Sequence, residues 1–375
     1  MKESCTVVVA PDSFKGSLSA PEVADAISAG WRSERPEDTV ILLPQADGGE
    51  GTLDAVERSV RGAVRRSAGT VTGPDRRPAN AEWLVLPQGI AVVEFAVTSG
   101  LALMRNLDPM HATSRGLGEV IAAALASGAR SLVIALGGSA STDGGMGALS
   151  ALGLRLLDAG DNELPDGGGA LSRLARIDAS ALIRPPAGGV TLLTDVTAPL
   201  LGPAGAAAVF GPQKGASSHE VRLLDSALAR LCDVTGGDPA TPGVGAAGGT
   251  AFGFAEFWGA RIVSGAEYVA TLSGLDPALD AADVLITGEG RFDAQSLTGK
   301  VVGNVLERAR ARGIVAHVVA GQVDLHSDRW TQSLVGLSGS TAAAMADPDR
   351  WLRVAGAAAA VEYSRRIAAR GGPTD

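Results

Sequence analysis

Short apolar runs alternate with longer amphipathic segments near the start of the chain. The β-branched run 6–9 predicts a strand, and apolar residues between 23 and 31 recur at the spacing of one helical face. Ser19 and Glu22 precede this face with the spacing of a capping box, in which the two side chains bond free N–H groups of the first turn. A second apolar run at 40–43 is followed by another helical face. The beginning of the chain therefore predicts two strand–helix units.

The pattern changes after residue 68. The apolar runs 81–86 and 90–95 are separated by the turn signal Pro-Gln-Gly, which predicts a hairpin and hence a sheet with antiparallel pairs. The other predicted features of this region are a helix at 114–127, strands at 132–136 and 190–194, a helical face with Leu149, Leu152 and Leu156, and loops at 202–216 and 236–250.

The strand–helix rhythm returns from residue 283 onward. It predicts a strand at 284–287, a helix at 300–312, strands at 314–320 and 334–337, and an alanine-rich closing helix at 351–369. Such alternation is typical of an α/β fold with a parallel sheet and helices on both faces. We therefore predict one parallel α/β domain made of 1–68 plus 285–375, with 69–284 inserted as a second α/β domain that contains a mixed sheet.

Composition and charge exclude several classes of protein. The 375 residues are 46% hydrophobic and 19% charged, which excludes general disorder. A formal net charge of −9 disfavours an electrostatic nucleic-acid binder. The two cysteines are too few for a disulfide framework or a cysteine-based zinc site. Because the sequence has neither a signal peptide nor an apolar run of the roughly 20 residues that span a bilayer, we expect a soluble cytoplasmic protein.

Four glycine-rich loops carry the candidate chemistry: 11–17, 46–52, 137–147 and 287–296. Each follows a predicted strand, contains a carboxylate and precedes a predicted helix. Glycine lets backbone N–H groups approach a ligand closely, and a helix N-terminus favours an anion. Carboxylates in the same loops would repel a phosphate unless Mg²⁺ lay between them. The alternative for any single loop is that Gly, Asp and Ser serve only turn geometry and capping.

Two glycine motifs resemble nucleotide-binding signatures and fail. The stretch TGEGRFDAQSLTGK, 287–300, ends like a P-loop, but Ala294 and Val301 occupy positions that need Gly and Ser or Thr. The stretch GVGAAG, 243–248, matches a dinucleotide fingerprint but follows a proline-containing turn instead of a strand. We therefore predict neither a P-loop nor an NAD site.

Lysines in the glycine-rich segments and one aspartate are further candidates. Lys15, Lys214 and Lys300 could neutralise a phosphate or a carboxylate, although an isolated lysine is more often only solvated. Asp195 ends an apolar strand, where a carboxylate either caps a turn or serves as a catalytic base. The sequence leaves both interpretations of Asp195 open.

Five segments together resemble the bacterial glycerate kinase family, which phosphorylates D-glycerate. They are VAPDSFKGSLSA, ADGGEGT, ALGGSASTDGGMG, TDVTAPLLGPAGAAAVFGPQKG and LITGEGRFDAQSLTGKV, in this order along nearly the whole chain. The resemblance implies ATP and Mg²⁺ dependence, with 2-phosphoglycerate as the usual product. It also implies a Rossmann-like domain split around an inserted α/β domain, with the active site in the cleft between them.

We predict roles for the loop residues as a hypothesis. Asp195 is the predicted base, with Asp12 as its substitute, and Lys15 offsets charge on the transferred group. The predicted Mg²⁺ ligands are Asp47, Glu50 and Asp293. The predicted substrate- or phosphate-binding residues are Ser13, Ser17, Gly138, Ser139, Thr142, Asp143, Lys214, Arg291 (for the glycerate carboxylate), Gln295 and Lys300, and those for ATP are Gly48, Gly49, Gly288 and Gly290.

Two alternatives remain open at this point. A kinase of another small hydroxy acid or polyol would use the same loops, and a non-catalytic regulator on the same fold would bind a small molecule without turnover. We expect no nucleic-acid or membrane partner. The sequence does not decide between the 2- and 3-hydroxyl, or whether the protein forms a homodimer.

Overall fold

The protein is described by a computed structural model that covers residues 4–298, 300–325 and 329–370. The chain divides into two compact units. The terminal unit comprises Met1–Ala46, Asp54–Arg61 and Ala266–Asp375, and the central unit comprises Asp47–Leu53 and Gly62–Gly265. The domain boundaries inferred from sequence, 1–68 plus 285–375 and 69–284, remain a prediction. They differ from the compact units in that 47–53 and 62–68 lie in the central unit and 266–284 in the terminal unit.

The strands of the described residues are β1 (Thr6–Val9), β2 (Thr39–Leu42), β3 (Val64–Thr72), β4 (Pro78–Leu86), β5 (Ile90–Glu94), β6 (Ser131–Ala135), β7 (Arg155–Leu157), β8 (Arg176–Asp178), β9 (Val190–Leu193), β10 (Arg261–Val263), β11 (Val284–Phe292), β12 (Val315–Val323) and β13 (Thr331–Ser333).

The helices of the same residues are α1 (Ala20–Glu34), α2 (Thr52–Ser59), α3 (Phe95–Ser99), α4 (Arg115–Ala126), α5 (Met146–Ala151), α6 (Ala206–Phe210), α7 (Ser218–Thr235), α8 (Ala246–Trp258), α9 (Gly265–Leu272), α10 (Leu275–Asp280), α11 (Val301–Ala311), α12 (Leu334–Ser338), α13 (Thr341–Ala346) and α14 (Pro348–Arg370). Helix α1 begins with the predicted capping box of Ser19 and Glu22.

The terminal unit contains a five-stranded sheet in the order β13-β12-β11-β1-β2, and all its pairs are parallel. Successive residues of β1 face opposite sides of the sheet. Val7 lies in one core with Trp31 of α1 and Leu352 of α14, whereas Val8 lies in another with Val305 of α11. Helices therefore cover both faces, as the sequence predicted.

The central unit contains a six-stranded mixed sheet in the order β10-β9-β6-β5-β4-β3. Strands β5, β6, β9 and β10 are parallel, whereas β3, β4 and β5 pair antiparallel. The predicted hairpin is β4–β5. Strand β3 was not predicted, because its exposed Arg- and Ser-containing sequence lacks an apolar run. The predicted fold class, a parallel α/β part made of both chain ends and a central α/β part with a mixed sheet, is confirmed.

The segment 287–296 differs from the glycine-rich loop that the sequence predicted. Thr287–Phe292 continues β11 and pairs in parallel with β12 as far as Phe292 and Val323. Gly288 permits this pairing, because a Cβ there would lie 1.8 Å from the Val319 carbonyl oxygen. Gly288 thus serves the pairing of a strand, and the turn begins only at Asp293.

Three further local predictions are wrong. Residues 334–337 form helix α12 instead of a strand, since the Ser333 hydroxyl accepts the Gly336 N–H and starts a helix there. Helix α5 ends at Ala151, because Gly153 has a φ of +103°, so Leu156 lies in β7. The predicted loops 202–216 and 236–250 contain α6 and the start of α8.

Candidate active site

Polar residues lie at or just after the carboxyl ends of three neighbouring parallel strands of the central unit. Strand β5 ends at Glu94, β6 leads into loop 137–147, and β9 leads into Thr194 and Asp195. The loop Asp47–Leu53 belongs to the same unit. Ligands of parallel α/β sheets bind outside the carboxyl ends of strands, so this edge is a candidate site.

The loop Asp47–Leu53 is fixed on this edge by backbone contacts. The Gly48 carbonyl accepts the Gly137 N–H at 2.9 Å. The Glu94 carboxylate accepts the Gly51 and Leu53 N–H groups at 3.1 and 2.9 Å, so it caps the start of α2. Gly48 has a φ of +86°, and a Cβ there would lie 2.8 Å from the Leu193 side chain. Glu94 was not predicted; it is a buried carboxylate within an otherwise apolar run, and that was the available signal.

The carboxylates of Asp47 and Asp195 are both held by backbone N–H groups. Asp47 Oδ1 accepts the Gly49 N–H at 2.9 Å, and Asp195 Oδ1 accepts the Gly265 N–H at 3.0 Å. Gly265 also lies against the Asp47 backbone, since a Cβ on Gly265 would be 1.9 Å from the Asp47 carbonyl oxygen. Gly265 therefore brings these two predicted site residues together. Glu50 is exposed.

Asp143 organises the interior of loop 137–147. Its carboxylate is buried and accepts hydrogen bonds from Ser114 N and Oγ, Ser141 Oγ, Gly145 N and Gly147 N, at 2.8–3.3 Å. These bonds occupy the carboxylate, so the geometry favours a role in shaping the loop. Thr142 is fully buried, and its hydroxyl has no hydrogen-bond partner among the described groups.

Lys214 is the most enclosed cation of the central unit, with 2% of its surface exposed. Its Nζ donates to Ser139 Oγ at 2.9 Å and to the Ser141 carbonyl oxygen at 2.5 Å. Burial lowers the pKa of Lys214 to about 7, and the charge of Asp143 partly opposes this shift.

A cavity of about 550 Å³ lies beside Lys214 and is lined by the central unit alone. Its volume is within the usual range of small-molecule sites. Ala247 lines it because the start of α8 approaches loop 137–147 closely: a Cβ on Gly248 would be 2.2 Å from the Ser141 carbonyl oxygen. The lining residues with polar groups include Glu50, Gly138, Ser139, Thr194, Gln213 and Lys214.

The terminal unit gathers a second set of predicted residues at the ends of β1 and β11. The Asp12 N–H donates to the Gly288 carbonyl at 2.8 Å, and Asp12 Oδ1 accepts the Ser13 N–H at 2.6 Å. A Cβ on Gly290 would be 3.7 Å from the Lys15 backbone nitrogen. The Ser17 N–H closes this turn by donating to the Phe14 carbonyl.

Beyond β11, the predicted residues are engaged with one another. Arg291 pairs with Asp324 at 2.6 Å and with Asp293 at 3.6 Å. Asp293 also caps the turn that follows, since Asp293 Oδ1 accepts the Gln295 N–H at 2.8 Å. Lys300 precedes the first residue of α11. Arg291 is therefore already paired with carboxylates of its own unit.

Glu289, between the glycines of TGEG, was missed in the sequence. Its Oε1 is buried without a hydrogen-bond partner among the described groups. Burial raises the pKa of Glu289, and a hydrogen bond with Ser296 and the charges of Lys300 and Lys15 partly oppose that shift. A carboxylate flanked by two glycines was the signal that could have identified it.

The predicted metal ligands do not form a ready-made cage. Asp47 and Glu50 belong to the central unit and Asp293 to the terminal unit. Across 4–298, 300–325 and 329–370, no three His, Cys, Asp or Glu side chains are grouped closely enough to hold a metal ion. Over the same ranges no helix combines the length and apolarity needed to cross a membrane.

Glycine-rich turns and acidic side chains at strand ends of an α/β fold are typical of enzymes that bind phosphorylated ligands. The sequence model described as the glycerate kinase family matches residues 7–364. The chain belongs to the glycerate kinase family; it is a kinase, and hence an enzyme that uses ATP.

Named relatives agree with this membership. The chain is 44% identical over 314 residues to glycerate 2-kinase of Escherichia coli K12, covering 80% of this chain and 82% of the relative. It is 40% identical over 333 residues to glycerate kinase of Bacillus subtilis 168, covering 86% of each. A crystal structure of a protein assigned as glycerate kinase 2 of Salmonella typhimurium LT2 superposes with a TM-score of 0.83 at 36% identity, covering 97% of this chain and all of the other.

Proposed function

We propose that the protein transfers a phosphoryl group from ATP to D-glycerate and that the product is 2-phosphoglycerate. The family match over residues 7–364 carries this proposal, because it spans the loops of both units. The relative from Escherichia coli K12 is named a glycerate 2-kinase, which supports the choice of the 2-hydroxyl.

Positioning and charge neutralisation supply most of the catalysis of phosphoryl transfer. In the central unit, the amides of Gly138 and Ser139 bind an anionic group, and Asp195 accepts the hydroxyl proton. The hydrogen bond from Gly265 fixes the Asp195 carboxylate for that task. In the terminal unit, Lys15 offsets charge on the transferred group, and Asp12 is the substitute base.

The remaining predicted binding residues keep the roles proposed from the sequence. Ser13, Ser17, Arg291, Gln295 and Lys300 in the terminal unit, and Thr142, Asp143 and Lys214 in the central unit, serve the substrate or phosphates; Gly48, Gly49, Gly288 and Gly290 serve ATP. Contacts within the protein weaken the case for Asp143 and Arg291, whose charges are already bonded or paired.

Magnesium fits the residues available in one respect. Mg²⁺ is usually held by one or two carboxylates together with water and substrate phosphates, so it needs no protein cage. Asp47 and Glu50 in the central unit and Asp293 in the terminal unit are oxygen donors of the required kind, and we propose each of them as a candidate ligand. When bound, the ion would supply neutralisation of phosphate charge. The expectations of a cytoplasmic location and of a homodimer remain predictions.

The test is ADP release by the purified protein with D-glycerate, L-glycerate, glycerol and other small hydroxy acids. We expect turnover with D-glycerate, and phosphorus–proton coupling in NMR spectra of the product should locate the phosphate on C2. Turnover of another acceptor in preference to glycerate would mean that this acceptor, and not glycerate, is the substrate. Binding without ADP release from any acceptor would favour a non-catalytic regulator.

Whether the loops of both units serve one reaction can be tested separately. We expect Asp195→Asn in the central unit and Asp12→Asn in the terminal unit each to lower kcat, with thermal unfolding unchanged. If Asp195→Asn retained near wild-type turnover, the assignment of the base would be wrong. If Asp12→Asn were silent, that loop would have no share in the chemistry.

A further inference from the structure

The ammonium of Lys214 has unused capacity toward the cavity. An ammonium has three N–H donors. Two of them are directed to Ser139 Oγ and the Ser141 carbonyl. Lys214 itself lines the cavity, so its remaining donor is available to a ligand there.

No carboxylate compensates this charge at close range. Within the described ranges, no Asp or Glu oxygen lies within 4.0 Å of Lys214 Nζ, and Asp143 acts on it only at longer range. A buried charge without an ionic partner is costly. Arg291, the earlier candidate for a substrate carboxylate, is by contrast more than half exposed and paired with Asp324. The cavity beside Lys214 is therefore the better place for a small anion.

The charge of the cavity lining favours a monoanion over a polyphosphate. Of its lining residues, Lys214 is the one cation and Glu50 the one anion. The other wall residues are largely apolar, among them Val97, Leu136 and Phe210. A triphosphate would bring several negative charges toward one ammonium, whereas a carboxylate brings one.

We propose that Lys214 binds the carboxylate of the acceptor acid, and that this contact makes the enzyme select hydroxy acids over neutral polyols. The inference rests on the proposed function and names the residue that recognises the substrate class. The contact stabilises bound substrate, so its loss should appear in binding and KM more than in kcat.

The experiment compares three ligands by calorimetry: D-glycerate, its neutral isostere D-glyceramide, and a non-hydrolysable ATP analogue, each without the others. Lys214→Met removes the charge and keeps most of the volume. We expect glycerate affinity to fall at least about 30-fold, as for loss of one partner of a buried charge pair. Affinities for glyceramide and for the nucleotide analogue should change less than about threefold.

The matched control is Arg222→Met, which removes an exposed cation from α7 of the same unit. It should leave all three affinities unchanged. Loss of nucleotide affinity with intact glycerate affinity in Lys214→Met would overturn the proposal and assign Lys214 to a phosphate. An equal loss for glycerate and glyceramide would also overturn it, because the charge would then be irrelevant.

A second measurement needs no variant. Because the pKa of Lys214 is about 7 without ligand, its charged form is depleted above that pH. Asp143 raises this pKa, and Glu50, which lines the same cavity, is the other charged residue of the lining. Wild-type affinity for glycerate should fall about tenfold per pH unit well above 7, and that for glyceramide should not. A glycerate affinity that increased with pH relative to that for glyceramide would contradict the proposal, because the charged fraction of Lys214 can only decrease in that direction.

The proposed function can fail without this inference. If the wild type neither bound nor phosphorylated glycerate but bound another hydroxy acid with the same dependence on Lys214, the substrate would be wrong and the carboxylate site would stand. If the wild type phosphorylated glycerate and Lys214→Met bound glycerate as tightly as the wild type, the proposed function would stand and the carboxylate site would be wrong.

Discussion

Lys214 Nζ donates to the hydroxyl of Ser139 at 2.9 Å, inside the wall of the cavity. This bond directs the ammonium, so its loss should misplace the charge without removing it. We expect Ser139→Ala to raise KM for glycerate about 2- to 10-fold, the worth of one hydrogen bond, with a smaller effect on kcat. Steady-state kinetics at saturating ATP would measure it.

The control for that change is Ser172→Ala, because Ser172 is exposed and its hydroxyl donates to the nearby Gly169 carbonyl in the same unit. It should leave both kinetic constants unchanged. A fall in kcat with constant KM for Ser139→Ala would contradict a role in substrate binding.

Glu94 ties the Asp47–Leu53 loop to the end of β5 through two backbone N–H groups. Glu94→Gln keeps one acceptor oxygen and replaces the other with an NH2 group, which would face a backbone N–H donor of the loop. We expect the free energy of unfolding to fall by about 1–3 kcal/mol and kcat to fall with it, since Asp47 and Glu50 lose their fixed position. Urea unfolding and turnover would be measured together. Glu82→Gln, an exposed carboxylate on β4, should change neither.

The fold was predictable to the extent that apolar runs report burial. Strands β1, β5, β6 and β9 are apolar and buried, and each was located to within a residue at either end. Strand β3 alternates exposed polar residues and gave no such signal. Helix α12 was assigned as a strand because a four-residue apolar stretch fits either structure, and the capping hydroxyl of Ser333 decided it.

The loops that form the candidate site could be predicted from sequence, but the role of each side chain in them could not. Asp143 and Lys214 were both named from sequence as ligand-binding. Only the structure reveals that the Asp143 carboxylate is occupied by donors from its own loop and from Ser114, whereas Lys214 lines a cavity. Glu94 and Glu289 were missed because their neighbours in space come from distant parts of the chain or from backbone groups, which spacing does not record.

Gly288 and Gly290 were both predicted to contact ATP, but the structure shows that their surroundings differ. A Cβ at 288 would meet the Val319 carbonyl oxygen at 1.8 Å, whereas one at 290 would have its nearest neighbour at 3.7 Å. We expect Gly288→Ala to destabilise the protein by about 1–3 kcal/mol or more, as overpacking does, and to break the β11–β12 pairing. Gly290→Ala should leave the unfolding midpoint unchanged. Equal midpoints for the two variants would contradict the structural role of Gly288.

His317 on β12 should make stability depend on pH. The ring is fully buried, lies 4.9 Å from the Trp330 ring centroid, and neither nitrogen has a hydrogen-bond partner among the described groups. Burial lowers the pKa of His317 from 6.5 to about 4; the charge of Arg366 lowers it further and that of Glu362 opposes the shift. The folded state therefore favours the neutral ring.

The sign of the effect follows from this direction. Above pH 6.5 the ring is neutral in both the folded and the unfolded state, so its protonation does not affect the free energy of unfolding. As the pH falls toward 4, the unfolded chain binds a proton that the folded protein does not. Stability should fall by about 1.4 kcal/mol per pH unit, to a total of about 3 kcal/mol. His317→Leu should remove this component, so that its stability relative to wild type rises between pH 6.5 and pH 4. The control is His219→Gln, at an exposed histidine on α7, whose free energy of unfolding should follow that of the wild type at every pH. The free energies are measured by urea unfolding across this pH range. If those of the wild type and His317→Leu changed equally with pH, the prediction would be wrong.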